Sequence, residues 1–257
     1  MRVARLVAVA WWLQLKMRSR SAFDGLLSLL YPAFFATTIF MMFRQADAAG
    51  PALLSAAVGS SAMGIWSAVS TTAAFALQME RRQGALELLV ISPQPFALLL
   101  VPLTLSMATI GAYSMVATLL WGRFAFGIDI DIANPGAFVL SVVVTVFGIG
   151  MLGMLVAISS IRYRTAWALG SAIEMPIWLI CGFIVAIGDL PAWVRPISAV
   201  LAPTWGVAAM RASANGQSPW LDLVWCLVAA AGYGLVATFV SRWMVHSARA
   251  NATLALS

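Results

Sequence analysis

Glu174 stands inside an apolar run of about residues 166 to 188, two places ahead of Pro176. A carboxylate in such a run costs about 3 kcal/mol or more unless it is paired or faces water. It is therefore either part of a polar path that favours cationic solutes or a protonated, hydrogen-bonded tie to a neighbouring helix. The other reactive groups are few. His246 is the only histidine and lies in a basic tail with Arg242 and Arg249, with no partner for a metal site or a catalytic triad. Asp129 and Asp131 alternate in a turn-rich segment, and two carboxylates fall short of a calcium cage, so they read as a solvated loop. Cys181 and Cys226 both fall in apolar stretches, which argues against a disulfide framework. Lys16 is the only lysine and Met17 follows it, so no Gly-x-x-x-x-Gly-Lys-Ser/Thr loop exists to cradle nucleotide phosphates. For Trp66, Phe75, Met115, Trp178 and Trp225, large apolar side chains within the crossings, packing is the ordinary reading and lining a hydrophobic path is the alternative.

One charged stretch of some length joins two apolar ones: Glu80-Arg81-Arg82-Gln83-Gly84-Ala85-Leu86-Glu87-Leu88-Leu89-Val90-Ile91-Ser92-Pro93. It is amphipathic, charged at its start and closed by Ser-Pro. Such a segment can serve as a short rigid lever on which a soluble partner pushes. The competing reading is a solvated loop whose arginines only mark the cytoplasmic side.

The elements that must position these groups follow from composition. Hydrophobic residues make up 62% of the chain and charged residues 9%, whereas soluble domains carry about 25% charged residues. The solvent is a bilayer. At roughly 20 residues per spanning helix, the chain accommodates about six crossings in one domain, residues 1–257, with no sizeable soluble part. The expected crossings cover about 25–43, 51–78, 96–121, 137–159, 166–188 and 220–240, and Gly64, Ser67 and Ala68 in the second are spaced for close helix approach. Residues 1–22 read as an interfacial helix with Arg2, Arg5, Lys16 and Arg20 on one face and Val3, Leu6, Ala10, Leu13 and Met17 opposite. This leader is not a secretory signal, because its apolar run is short and followed by Lys16, Arg18 and Arg20. Residues 189–219, punctuated by Pro191, Pro196, Pro203 and Pro219, suit short outer re-entrant helices.

Charge sets the orientation. The first 22 residues, the segment after the second crossing, the Arg162 and Arg164 loop and the C-terminal tail hold eleven Lys or Arg, against Arg44, Arg123, Arg195 and Arg211 elsewhere. Both termini are expected to be cytoplasmic. Trp121, Trp167, Trp193, Trp220 and Trp243 fall near expected helix ends, as an aromatic belt requires. The basic surplus reads as topology, with lipids and not nucleic acid as the partner.

Glu80 to Pro93 resembles, residue for residue, the Glu-Arg-x-x-Gly-x-Leu-Glu-x-Leu-x-x-Ser-Pro segment between the second and third crossings of type-2 ABC transporter permeases. Cys181-Gly182-Phe183 with Leu190-Pro191 is similar to that family's fifth crossing and outer elements, and Ala202-Pro203-Thr204-Trp205 through Arg211 to its Pro-Leu-Thr…Ala-x-Arg segment. Ala202 departs from the larger residue or Asn usual before that proline. The resemblance implies an all-α permease of six transmembrane helices in the cell membrane, dimeric with itself or a sister permease. Residues 79–95 then form a coupling segment docked on a separate ABC ATPase, which holds the ATP and Mg; this chain holds no cofactor and is not itself an enzyme. Glu80, Arg81 and Arg82 contact the ATPase, Gly84 allows close approach, Leu86, Leu88 and Leu89 anchor the lever, and Glu87, Ser92 and Pro93 complete the motif. The implied activity is export of a small hydrophobic molecule or lipid, of the drug or antibiotic efflux type. An ion-gradient-driven transporter or channel is the alternative. It is expected to show intramembrane charge relays and internal repeats, and the sequence has one such carboxylate and no convincing repeat.

Overall fold

The computed structural model describes residues 2–18, 22–47, 50–82, 96–162, 166–185 and 187–250. Apolar residues in long runs, with glycine and proline at the breaks, leave helix as the structure that satisfies every backbone group away from water. The helices are α1 (Arg2–Arg18), α2 (Ala22–Gln45), α3 (Gly50–Arg82), α4 (Phe96–Phe126), α5 (Pro135–Arg162), α6 (Ala166–Ile180), α7 (Arg195–Val200), α8 (Ala202–Ala214) and α9 (Trp220–Ala250), with a 3-10 turn at Ile187–Asp189. No strand occurs among the described residues.

Among the described residues, four helices are long and apolar enough to cross a membrane, over Gly50–Ser70, Leu100–Phe126, Pro135–Ile158 and Trp220–Val240. They match the expected second, third, fourth and sixth crossings. The expected first crossing falls on α2. The fifth departs from expectation, because α6 stops at Ile180 and not near Gly188. Gly182 adopts φ +74, and the Phe183 N–H donates to Trp178 O while the Gly182 N–H donates to Leu179 O. Those two bonds are a Schellman cap, which needs the left-handed conformation that glycine takes without steric cost.

α3 is the hub. Of its spanning stretch 78% is buried, against 28% for α9, and it packs on α2, α4, α5, α6 and α8. The small residues expected to admit a neighbour do so: a Cβ on Gly111 of α4 would lie 2.5 Å from Ile65 Cα and 3.2 Å from Ala68 Cβ, and one on Gly64 would lie 2.1 Å from Ser114 Oγ. Three of the hydroxyls buried by this packing bond within their own helices. Ser60, Ser61 and Ser114 donate to Ala57 O, Val58 O and Gly111 O at 3.1, 2.7 and 2.6 Å, so close helix approach leaves these donors satisfied.

The outward surface is apolar. Phe34, Met42, Val116, Phe124, Val143, Leu235 and Phe239 are all exposed on α2, α4, α5 and α9. Exposed apolar side chains in this number belong against lipid or another apolar partner. Exposed Trp220 opens α9, exposed Trp193 lies just before α7 and exposed Trp121 lies in the last two turns of α4, and aromatic rings favour the membrane boundary.

α1 lies along α4, with Leu15 buried and the Trp11 indole N–H donating to Thr109 Oγ1 at 3.2 Å. The basic and apolar sets expected on opposite faces share one exposed surface. Arg5 and Lys16 are exposed together with Leu6, Val9, Leu13 and Met17, and Arg5, Leu6, Val9, Ala10 and Leu13 line one shallow hollow. The geometry explains the correction, since residues three apart, such as Leu13 and Lys16, sit only about 60° apart around a helix.

Candidate functional site

Three polar stations lie along α3. Its C-terminal turn carries Glu80, Arg81 and Arg82, so the expected coupling segment begins as a continuation of the most buried helix. Gly84, Leu86, Glu87, Leu88, Leu89, Ser92 and Pro93 lie outside the described residues.

The middle station joins Glu174 and Ser67. Glu174 is only 5% exposed on α6, and the Ser67 hydroxyl donates to its Oε1. Met175 and Leu179, on the far side of α6, are exposed. Trp178, one turn on from Glu174, is buried with its ring 5.0 Å from that of Phe35 on α2. Of the other large side chains read as packing groups, Trp66 and Met115 are buried, whereas Trp225 is half exposed and stacks on Trp205 at 6.0 Å.

The third station, near the start of α3, is built on Arg211, which the sequence marks by resemblance and by charge without indicating its partners. Arg211 of α8 donates through Nε to Ser55 O at 3.1 Å, through Nη1 to Gly182 O at 2.6 Å and through Nη2 to Phe183 O at 2.9 Å. Gly59 makes room for this fork, because a Cβ there would lie 1.9 Å from Phe183 O and 2.4 Å from Arg211 Nη2. The carbonyls of residues 182 and 183 end α6, where a cation also complements the helix dipole. Burial lowers the Arg211 pKa to about 10, so the guanidinium stays charged at neutral pH. Its signals in the sequence are its place at the end of the stretch similar to the Pro-Leu-Thr…Ala-x-Arg segment and its standing as a lone arginine within the otherwise uncharged stretch 196–221.

α8 is held on its other sides as well. The Ala202 N–H donates to Tyr233 Oη at 3.0 Å, and the Tyr233 hydroxyl donates to Val200 O at 2.6 Å. The N–H groups of Ala133 and Asn134 donate to Ala214 O and Ser213 O, and Asn215 Nδ2 donates to Ser55 Oγ at 3.3 Å. A Cβ on Gly206 would lie 2.5 Å from Thr145 Oγ1, so α8 sits nearly backbone to side chain on α5. Cys181 and Cys226 are both free and buried, and Asp129 and Asp131 are exposed.

This arrangement suits transmission of movement. A single helix, at 1.5 Å per residue about 50 Å long, touches the charged segment at one end, a buried carboxylate at its middle and a clamped turn at the other. Residues 5–214 match the family model for the ABC-2 type transporter membrane domain. No curated protein matches the chain.

Proposed function

Because the chain belongs to the ABC-2 type transporter family and is a membrane permease subunit, we propose that it is the permease of an ATP-driven exporter. The cargo is a small hydrophobic molecule or lipid, moved outward across the cell membrane. ATP and Mg are held by a separate ATPase subunit, and two permeases, identical or sister chains, form the pathway. Residues 79–95 are the coupling segment, with Glu80, Arg81 and Arg82 in polar contact with the ATPase, Gly84 allowing close approach, Leu86, Leu88 and Leu89 anchoring the lever to the bundle, and Glu87, Ser92 and Pro93 completing the motif. α2 and α6 complete six crossings, α1 lies in the cytoplasmic interface with Arg5 and Lys16 at the headgroups, both termini are cytoplasmic, and residues 189–219 form the outer re-entrant segment.

The observation that carries this reading is the continuity of α3 from the buried middle of the bundle to Glu80-Arg81-Arg82, the first residues of the motif. A push on the motif acts directly on the helix that most others pack against. The test is isolation of the chain from its native membrane. An ABC ATPase is expected to co-purify and its turnover to require the chain; ion-gradient-driven transport by the purified chain alone would overturn the proposal in favour of a secondary transporter.

Glu174 we assign a tying role between α3 and α6. Its burial and its bond to Ser67 support that role over exposure to a path. Glutamine keeps an acceptor for Ser67, so Glu174→Gln is expected to change unfolding free energy by less than about 1 kcal/mol and to leave transport intact. Glu174→Leu removes the acceptor that joins α6 to Ser67 and is expected to cost about 1 kcal/mol or more. Lost transport at unchanged stability in the Gln variant would place Glu174 on the path instead.

A further inference from the structure

Arg211 holds three carbonyl oxygens that belong to two separate parts of the chain, one on α3 and two on the turn that ends α6. No carboxylate takes part in these bonds. A guanidinium used in this way is a mechanical joint, since its planar donors fix the direction of each carbonyl and a lysine ammonium cannot reproduce the geometry. Gly59 sets the joint's width, because any side chain there enters the space of both Phe183 O and Arg211. The joint also has a register. Ser67 meets Glu174 and Gly59 meets Phe183, so α3 and α6 run antiparallel and are tied at two levels, with Arg211 at the end remote from Glu80.

We propose that Arg211, seated against Gly59, is the positioning residue that makes α3, the 181–185 turn and α8 move as one body, so that displacement at Glu80–Arg82 reaches the far end of the bundle. The lever is long: from Ser55 to Arg82 along α3 is about 40 Å at the helical rise. Without the joint, α3 slides past α8 and the movement is lost before it arrives. Ser198 extends the moving body, its hydroxyl donating to Ile180 O at 2.6 Å, which carries α7 with the turn. This inference rests on the ATPase-driven reading above.

The test uses the detergent-solubilised complex of the full chain with its ATPase and needs no knowledge of the cargo. Cysteines at exposed Ala192, just ahead of α7, and Gln217, just past α8, serve as tracers of the α7 and α8 sides of the moving body, with Cys181 and Cys226 shielded by burial. Their rates of maleimide labelling are compared without nucleotide and after trapping with ATP, Mg and vanadate. In the native background both rates are expected to change together, by about five-fold or more. Arg211→Lys and Gly59→Ala are expected to abolish the change at both positions while vanadate-sensitive ATP hydrolysis continues. Asn215→Ala removes a neighbouring bond but spares the fork and is expected to behave as native.

Retention of the full nucleotide-dependent change in Arg211→Lys and Gly59→Ala would reduce Arg211 to an ordinary brace and overturn the proposal. Should neither variant assemble, the native chain still decides, because a change at one tracer without the other contradicts a single moving body. Failure of any ATPase to associate with the native chain would instead overturn the exporter reading, an outcome distinct from these.

Discussion

Gly111→Ala is expected to lower the unfolding free energy of the purified chain by about 3 kcal/mol, whereas Gly232→Ala is expected to raise it by up to about 1 kcal/mol. Both glycines lie in helix interiors, so the backbone gains equally from losing glycine's freedom. What differs is the space. The new Cβ at residue 111 would lie 2.5 Å from Ile65 Cα and 3.1 Å from Gly64 O. Those are backbone atoms, so no rotamer change relieves the contact and α4 must move away from α3. That movement also loosens Gly64 from Ser114 of α4, whose Oγ would lie 2.1 Å from a Cβ at residue 64. At Gly232 nothing lies within 4 Å.

Gly153→Ala is an instructive intermediate, because its Cβ would lie 2.0 Å from Val69 Cγ1, a side-chain atom that can rotate. Reversible unfolding in mixed detergent micelles measures all three. Equal stability of the Gly111 and Gly232 variants would mean that the α3–α4 seam is not held by backbone approach.

Much of this architecture is legible in the sequence, for reasons that also mark where legibility ends. Apolar runs near 20 residues name spanning helices because membrane thickness imposes their length, and four of the expected crossings coincide with long apolar helices. The end of α6 was misplaced because the run of apolar residues continues past Cys181, and only the conformation of Gly182 stops the helix. A hydropathy pattern is blind to that. On α1 the basic and apolar sets are not opposed, because residues three apart lie only about 60° apart around a helix, and which of them stay exposed depends on the packing partner, α4.

The polar stations differ in the same way. Glu174 stood out at once, as a charge amid apolar residues, yet its partner Ser67 is 107 positions away and requires the register of two helices. Arg211 entered the topological count as one of the basic residues outside the cytoplasmic set. Charge counting assigns a side of the membrane and says nothing about depth, so a guanidinium clamped on three carbonyls looks the same as one in water. The segment Glu80–Pro93 is the reverse case. It is the most specific pattern in the sequence, but the structure describes only its first three residues.

Those three residues carry the second large effect. Exchanging their charges, Glu80→Arg with Arg82→Glu, is expected to weaken the association of chain and ATPase about a hundred-fold or more, since each disrupted interfacial charge pair costs at least about 2 kcal/mol. The exchange is chosen because its side effects are small. The number of basic residues in the segment is unchanged, so the charge bias that sets orientation is preserved, and Glu and Arg have similar helix propensities, so the end of α3 keeps its tendency to remain helical. Only the order of charges along the docking surface is inverted. Co-purification measured across a series of salt concentrations reads the result: the native pair is expected to weaken with salt and the exchanged pair to be weak throughout. An exchanged chain that retains its ATPase at native strength, and still supports its turnover, would mean that this end of α3 is not what the ATPase grips.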